Sequence, residues 1–389
     1  MNPLYLDYHA TTPVDPRVLA EMLPYFTERF GNPHSKQHAW GWEARDAVEA
    51  ARAQVAALLH AASSEIVFTS GASESNNLAL KGTAEHMRAR GTHIVTIATE
   101  HKSVLDACRR LGTGGFDVTV LGVRPDGLVD LGALASAMTP HTVLVSVMAA
   151  NNEIGTLQPL AEIGAIAHTH GALFHTDAAQ AAGKVPIDVG AMHIDLLSLT
   201  AHKFYGPKGA GALFIRKAKP RLAIAPQIDG GGQEDGLRSG TLNVPGIVGL
   251  GRAAEICRLE MSEESVRLGC LRDRLLAELA GRLDSLRVNG TLQHRLPHNL
   301  HVSFEGVEGE ALLMALGDIA VSTGSACSSG SQAPSHVLEA IGATGEHAGA
   351  SIRFGLGRNT TAEDITLAVD RVSTVVAALR KKSGPSASA

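Results

Sequence analysis

Lys203 stands in Leu199-Thr200-Ala201-His202-Lys203-Phe204-Tyr205-Gly206-Pro207-Lys208-Gly209, where an apolar run ends among hydroxyl, imidazole and glycine residues. A lysine leaving a buried strand, flanked by donors, suits a Schiff base with an aldehyde cofactor that carries a phosphate. A second segment, Ser70-Gly71-Ala72-Ser73-Glu74-Ser75-Asn76-Asn77, follows the apolar run Ile66 to Thr69 and opens a helical pattern. Its backbone N–H groups and hydroxyls would meet a phosphate at the positive end of the helix dipole. An ordinary N-cap uses the same residue types.

Asp177, in Phe174-His175-Thr176-Asp177-Ala178-Ala179-Gln180, places a carboxylate at a strand end. It could keep a pyridinium nitrogen protonated and so make the ring an electron sink, while Gln180 bonds the ring's phenolic oxygen; a capping aspartate is the alternative. His101 follows another strand end, where an imidazole could stack on a planar ring and move protons near neutral pH. Cys327 lies in a run of small residues, Val321 to Ser331, that can bend and reach. A reactive thiol needs that exposure, whereas Cys108, Cys257 and Cys270 sit in helical stretches and read as structural. Arg353 is a charge on an apolar strand and calls for a carboxylate, either a ligand's or a structural partner's.

The elements that must hold these groups alternate. Apolar runs at Ile66 to Thr69, His93 to Ala98, Val118 to Leu121, Val143 to Met148, Leu173 to His175, Leu196 to Leu199 and Ala212 to Ile215 predict strands. Helical stretches at Ser75 to Ala89, Val104 to Leu111 and Leu160 to His168 lie between them. This order predicts an α/β fold with a mostly parallel sheet, binding its ligand at the carboxyl ends of the strands. A long helix over Arg252 to Arg282 leads to strands near Asn299 to Phe304, Ile319 to Ser322 and Ser351 to Gly355, with a helix near Glu308 to Leu316. The expected division is a large domain over residues 15–256. Residues 1–14 and 257–380 form a smaller α+β domain carrying the cysteine loop, about 322–333, and 381–389 is a mobile tail.

The bulk composition narrows the functional classes. The 389 residues carry 34 Lys and Arg against 39 Asp and Glu, so no basic field invites nucleic acid. The four cysteines are widely spaced, with neither a disulfide framework nor metal-type spacing, so no metal site is expected. No apolar run is long enough to cross a membrane, and Met1 to Asp7 lacks a basic start followed by an apolar core. A cytoplasmic location is expected.

Taken together, Ser70 to Asn77, Glu100-His101-Lys102, Asn151-Asn152-Glu153-Ile154-Gly155, His175 to Gln180, Thr200 to Gly209, Arg238-Ser239-Gly240-Thr241 and Ser325-Ala326-Cys327 resemble the cysteine desulfurases. These are class V, fold type I pyridoxal-phosphate enzymes, and the serine-rich loop with Pro334-Ser335-His336-Val337-Leu338 resembles their NifS/IscS-type branch. The resemblance runs from Tyr5 through the Arg353 strand. It implies that Lys203 binds pyridoxal 5'-phosphate, that His101 stacks on the ring as an acid/base, and that Asp177 and Gln180 hold the ring nitrogen and phenolic oxygen. Ala72, Ser73, Thr200 and His202, with Ala201 beside them, match phosphate-binding positions, and Thr241 is expected to reach the phosphate of a neighbouring subunit. Asn152 would contact cofactor and substrate, and Asn152 with Arg353 would hold the substrate carboxylate. Threonine at position 200, where several relatives have serine, keeps the hydroxyl.

The implied reaction turns L-cysteine into L-alanine and leaves a persulfide on Cys327 for an acceptor serving iron–sulfur assembly, tRNA thiolation or nitrogenase assembly. A homodimer and a persulfide that transiently ligates iron in a complex are further implications. A class V aminotransferase or a selenocysteine lyase would share Lys203, Asp177 and His101, with Cys327 as the discriminant. A catalytically silent scaffold would leave those positions unfilled.

Overall fold

The computed structural model describes residues 3–217, 222–323, 335–343 and 350–383. In chain order the strands are β1 (Leu4–Tyr5), β2 (Ile66–Thr69), β3 (His93–Ile97), β4 (Asp117–Leu121), β5 (Thr142–Ser146), β6 (Leu173–Asp177), β7 (Leu196–Thr200), β8 (Gly211–Ile215), β9 (Leu286–Val288), β10 (Asn299–Phe304), β11 (Ile319–Ala320) and β12 (Ser351–Gly355). The helices are α1 (Pro16–Met22), α2 (Pro24–Thr27), α3 (Ala39–Leu58), α4 (Ala72–Met87), α5 (Lys102–Thr113), α6 (Leu131–Ala137), α7 (Leu160–Thr169), α8 (Val244–Arg282), α9 (Gly309–Ala315), α10 (His336–Ala340) and α11 (Ala362–Ser383).

Seven strands form the central sheet in the order β2-β8-β7-β6-β5-β3-β4. Neighbours from β7 through β4 are parallel, and β8 runs antiparallel to both β2 and β7. Strands β3, β5, β7 and β8 are buried along their whole length, which is why they read as mostly apolar runs: helices cover both faces. Polar residues inside the sheet pair across strands. His175 meets Ser146 Oγ at 2.9 Å and Ser198 Oγ at 3.0 Å, so this imidazole is part of the core.

The outer side of β2 is closed by side chains. Arg52 donates to the Ile66 carbonyl at 2.9 Å, the Phe68 N–H donates to Glu234 Oε2 at 2.7 Å, and Arg52 and Glu234 pair through two 2.8 Å bonds. The guanidinium also lies 4.6 Å from the Phe68 ring centre.

A three-stranded antiparallel sheet, β12-β10-β9, and the parallel pair β1-β11 form a second group. Helix α8 serves both groups. Its Val244 to Cys257 half packs in a core with Phe174, Leu197 and Phe214, and its Leu268, Leu275 and Leu279 pack in another with Leu300, Phe354 and Val372. Leu6 belongs to the second core.

Three boundaries differ from those expected of the sequence. Helix α8 begins at Val244 rather than Arg252, because Asn243 accepts from the Gly246 N–H and Pro245 suits the first turn. Helix α4 begins at Ala72, so the glycine-bearing turn is shorter than expected. Helix α11 runs to Ser383, so Lys381 and Lys382 end a helix instead of opening a tail, and cations there suit its negative end. Residues 384–389 lie outside the described residues.

Candidate active site

Five strand ends deliver the site. The turns after β2, β3, β5, β6 and β7 supply Ala72 and Ser73, His101, Asn152, Asp177 and Gln180, and Thr200 to Lys203. With His9 to Thr11, Lys208 and Arg353 they line one cavity of about 570 Å³. Of the residues singled out from sequence, Ala72, Ser73, His101, Asn152, Asp177, Gln180, Thr200, His202, Lys203 and Arg353 all line it. Ala201 is fully buried in the turn before Lys203. Thr241 is exposed and is not among the lining residues. Cys327 lies outside the described residues.

Lys203 ends a single 3-10 turn directly after β7, and its Nζ donates to the carbonyls of His9 at 2.5 Å and Ala10 at 2.8 Å. The turn is held from below by Tyr205, which adopts φ +68°. Lys184 Nζ and the Arg358 guanidinium each lie over the Tyr205 ring, 4.2 Å from its centre. Glu264 on α8 joins the two cations, at 3.3 Å from Lys184 and 2.8 Å from Arg358 Nε, and Arg358 also reaches Asp15 at 2.6 Å. The lysine turn, α8, the start of α1 and the chain beyond β12 thus meet at one ring.

Asp177 is buried and accepts from Asn76 Nδ2 at 2.7 Å and the Ala179 N–H at 2.9 Å. Beside it, Glu100 is fully buried. Burial, then the Asp177 charge, push the Glu100 carboxyl well above the usual carboxylate range. The Glu100 carboxyl is therefore biased toward its protonated form. His202 is bonded to Thr11 Oγ1 at 3.1 Å, and burial followed by the charges of Lys203 and Lys208 lowers its imidazole to about 4, so it is neutral near pH 7.

At the mouth, α4 starts without a side-chain cap, so its first N–H groups face the cavity unclaimed by a capping residue. Gly71 precedes them at φ +152°, a conformation reserved for glycine, and a Cβ built on Gly211 would meet Gly71 Cα at 2.5 Å. The turn is thus kept bare of side chains. A phosphate fits the uncapped turn with Thr200 and neutral His202 as added donors. A protonated pyridine nitrogen fits Asp177, and an aldehyde carbon fits Lys203. The donor set matches pyridoxal phosphate.

Other residues came to the site without a sequence signal. His9 is fully buried, bonds Gln180 Oε1 through Nδ1 at 2.9 Å and Asn299 through Nε2 at 3.0 Å, and stacks on His298 at 4.4 Å. Gln180 returns a bond to the His9 carbonyl at 3.0 Å. Arg353 meets a structural carboxylate, the alternative its position on an apolar strand left open: Nη2 pairs with Asp7 at 2.7 Å, and Nη1 donates to the Asn152 carbonyl at 2.8 Å. Its Nε is buried without a partner. Ser335 and His336, which follow Cys327 in the chain, are tied to the same wall. The Ser335 hydroxyl donates to Glu153 Oε2 at 2.5 Å, and His336 Nε2 reaches the Glu100 carbonyl at 3.0 Å.

A sheet of this topology with a lysine, an aspartate and an uncapped helix at its carboxyl edge defines a pyridoxal-phosphate-dependent enzyme of fold type I. The family model for class-V aminotransferases matches residues 4–367. Curated relatives include the cysteine desulfurase IscS of Anaeromyxobacter dehalogenans, 56% identical over 98% of this chain and 94% of its own length. That of Methylococcus capsulatus is 55% identical over 97% and 94%. Among solved structures, a NifS-like protein superposes with a TM-score of 0.90 at 40% identity, covering 97% of this chain and all of its own. SspA in complex with cysteine superposes at 0.80, with 40% identity over 91% and 98%. The chain belongs to the class-V aminotransferase family, in its cysteine desulfurase branch.

Proposed function

We propose that the protein removes sulfur from L-cysteine, releasing L-alanine and leaving the sulfur as a persulfide on Cys327. The supporting observation is the convergence of Lys203, Asp177 and the uncapped start of α4 on one cavity, in a chain whose relatives are named cysteine desulfurases. When bound, pyridoxal phosphate draws electron density from the α-carbon of the amino acid. Asp177 keeps the ring nitrogen protonated, and Asn76 and the Ala179 N–H orient that carboxylate by donating to it. Ala72, Ser73, Thr200 and His202 hold the phosphate. Gln180 carries an N–H beyond the one given to His9 and bonds the phenolic oxygen. Asn152 and the unpartnered Nε of Arg353 receive the substrate carboxylate. Lys203 Nζ takes and returns the α-proton, and His101 stacks on the ring.

Cys327 acts as a thiolate on the substrate sulfur: an S–S bond forms, the C–S bond breaks, and its electron pair stays with the carbon that becomes the alanine methyl. The persulfide then serves an acceptor protein for iron–sulfur cluster assembly or thiolation. We place the enzyme in the cytoplasm as a homodimer. Cys108, Cys257 and Cys270 are free thiols, and among the described residues no helix is long and apolar enough to cross a membrane. Phe26, Phe30, Trp40 and Trp42 are exposed apolar side chains that a partner would cover, and Thr241 is exposed as well.

A single-turnover reaction with L-cysteine tests the reading by mass spectrometry. Stoichiometric alanine with a persulfide on Cys327 is expected, and both are lost in Cys327→Ala while cofactor binding persists. Alanine formed equally well by that variant would overturn the assignment in favour of a lyase.

A further inference from the structure

His101 is both a wall of the cavity and the N-cap of α5, and its ring nitrogens are therefore not equivalent. The Ser103 N–H donates to His101 Nδ1 at 3.1 Å, and Ser103 Oγ lies 2.8 Å from the same nitrogen. The hydroxyl is the donor in that second contact, because the Ser103 N–H already requires Nδ1 to be an acceptor, and Asn76 Nδ2 donates to Ser103 Oγ at 2.9 Å and so fills one of its lone pairs. The other hydrogen of the same amide goes to Asp177 Oδ2. Asn76 is set in this orientation although its Oδ1 is buried without a partner. Turned over, its oxygen would face the aspartate.

From this arrangement we infer that His101 rests as a neutral imidazole with its proton fixed on Nε2, where it is presented to substrate or cofactor, and that Asn76 and Ser103 are the positioning residues that hold it so. A proton on Nδ1 would confront two donors and the positive end of α5. A neutral imidazole at a helix N-terminus can still polarise a reacting group by donating a hydrogen bond to it. Among the described residues, the titratable groups around the ring include Glu100 and Lys102 in its own segment, Asp177 through Asn76, His336 through the Glu100 carbonyl, and His202, Lys203 and Lys208 along the cavity. One amide thus couples the charge under the ring nitrogen to the tautomer of the stacking histidine. This deepens the proposed desulfurase reading, on which it rests, by naming the residues that set the tautomer of its stacking histidine.

The experiment is a long-range proton–nitrogen NMR spectrum of histidine-labelled holoenzyme from pH 6 to 9, with His101 assigned from His101→Gln. A protonated Nε2 and an unprotonated Nδ1 throughout are expected; an imidazolium, or a proton on Nδ1, would overturn the inference. The spectrum needs no turnover, so a protein lacking desulfurase activity would sink the functional reading and leave this one standing. In Asn76→Ala and Ser103→Ala, kcat is expected to fall about tenfold with KM within twofold, and the double variant to be no worse than the poorer single one. Ser103→Thr should restore both tautomer and rate. Additive losses, or wild-type spectra and rates in both single variants, would remove Asn76 and Ser103 from the assignment.

Discussion

Glu264→Gln is expected to destabilise the protein by about 3–5 kcal/mol, the range for removing one partner of a buried ion pair. Glu264 Oε1 sits 3.3 Å from Lys184 Nζ, and the two side chains are 11% and 5% exposed. Burial pushes the Glu264 carboxyl up, but Lys184 and Arg358 outweigh it and hold it below the usual range. Glutamine keeps the shape and an acceptor oxygen yet carries no charge. Arg358 retains Asp15, so the loss falls on the Lys184 ammonium, left buried beside a neutral amide and the Tyr205 ring. Glu264→Gln with Lys184→Met should recover most of the stability, because the stranded charge is then gone. Denaturant unfolding of the holoenzyme, followed through Trp40 and Trp42 fluorescence, measures each arm of the cycle. The depressed carboxyl contributes stability above its unfolded value of 4.5 and loses it as pH falls through the folded value, so the variant should also lose less stability on acidification. A single variant within about 1 kcal/mol of wild type, or a double variant no better than the single one, would refute the reasoning.

Gly71→Ala forces a side chain into φ +152°, at a cost of about 1–3 kcal/mol, and should weaken pyridoxal phosphate binding at least tenfold in a fluorescence titration of the apoenzyme; an unchanged Kd would count against the bare turn as a phosphate seat. Burial holds the imidazoles of His175 and His301 down at about 3, so the unfolded chain takes up protons below its ordinary 6.5 that the folded one refuses. Stability should therefore fall with pH from 6.5 toward 3, by about 2 kcal/mol for each of the two at pH 5, as read from denaturation midpoints. The Cys108 thiol is buried and pushed up to about 12, and Cys257 is buried and raised too, whereas Cys270 is exposed. Brief maleimide treatment of native protein should modify Cys270 and spare Cys108 and Cys257, with peptide mass spectrometry as the check.

The central sheet was legible because parallel strands covered on both faces are buried throughout and therefore mostly apolar, as β3, β5 and β7 are. The residues at their carboxyl ends followed from the same logic, since a lysine, an aspartate and a glycine turn at strand ends share one edge. Strand β9, only Leu286–Val288, has too few residues to show a period. His9 and Asp7 were invisible for another reason. They enter the site from the chain's first turn across more than 170 positions, and only the fold brings His9 to Gln180 or Asp7 to Arg353. Asn76 was in view within the phosphate segment, but the amide's link between Asp177 and Ser103 depends on how α4 and α5 pack.

The Arg52–Glu234 pair on the outer side of β2 bears on how the protein behaves in a crowded solution. A bare Ile-Val-Phe-Thr strand at the rim of a sheet would offer its free N–H and C=O groups to any extended chain nearby, and its side chains favour such pairing. The guanidinium takes the place of a neighbouring strand's donor at Ile66, and the carboxylate takes that of its acceptor at Phe68. Two side chains imitate one rung of a ladder and stop it from growing, so this edge resists the strand-by-strand self-assembly that ends in aggregates.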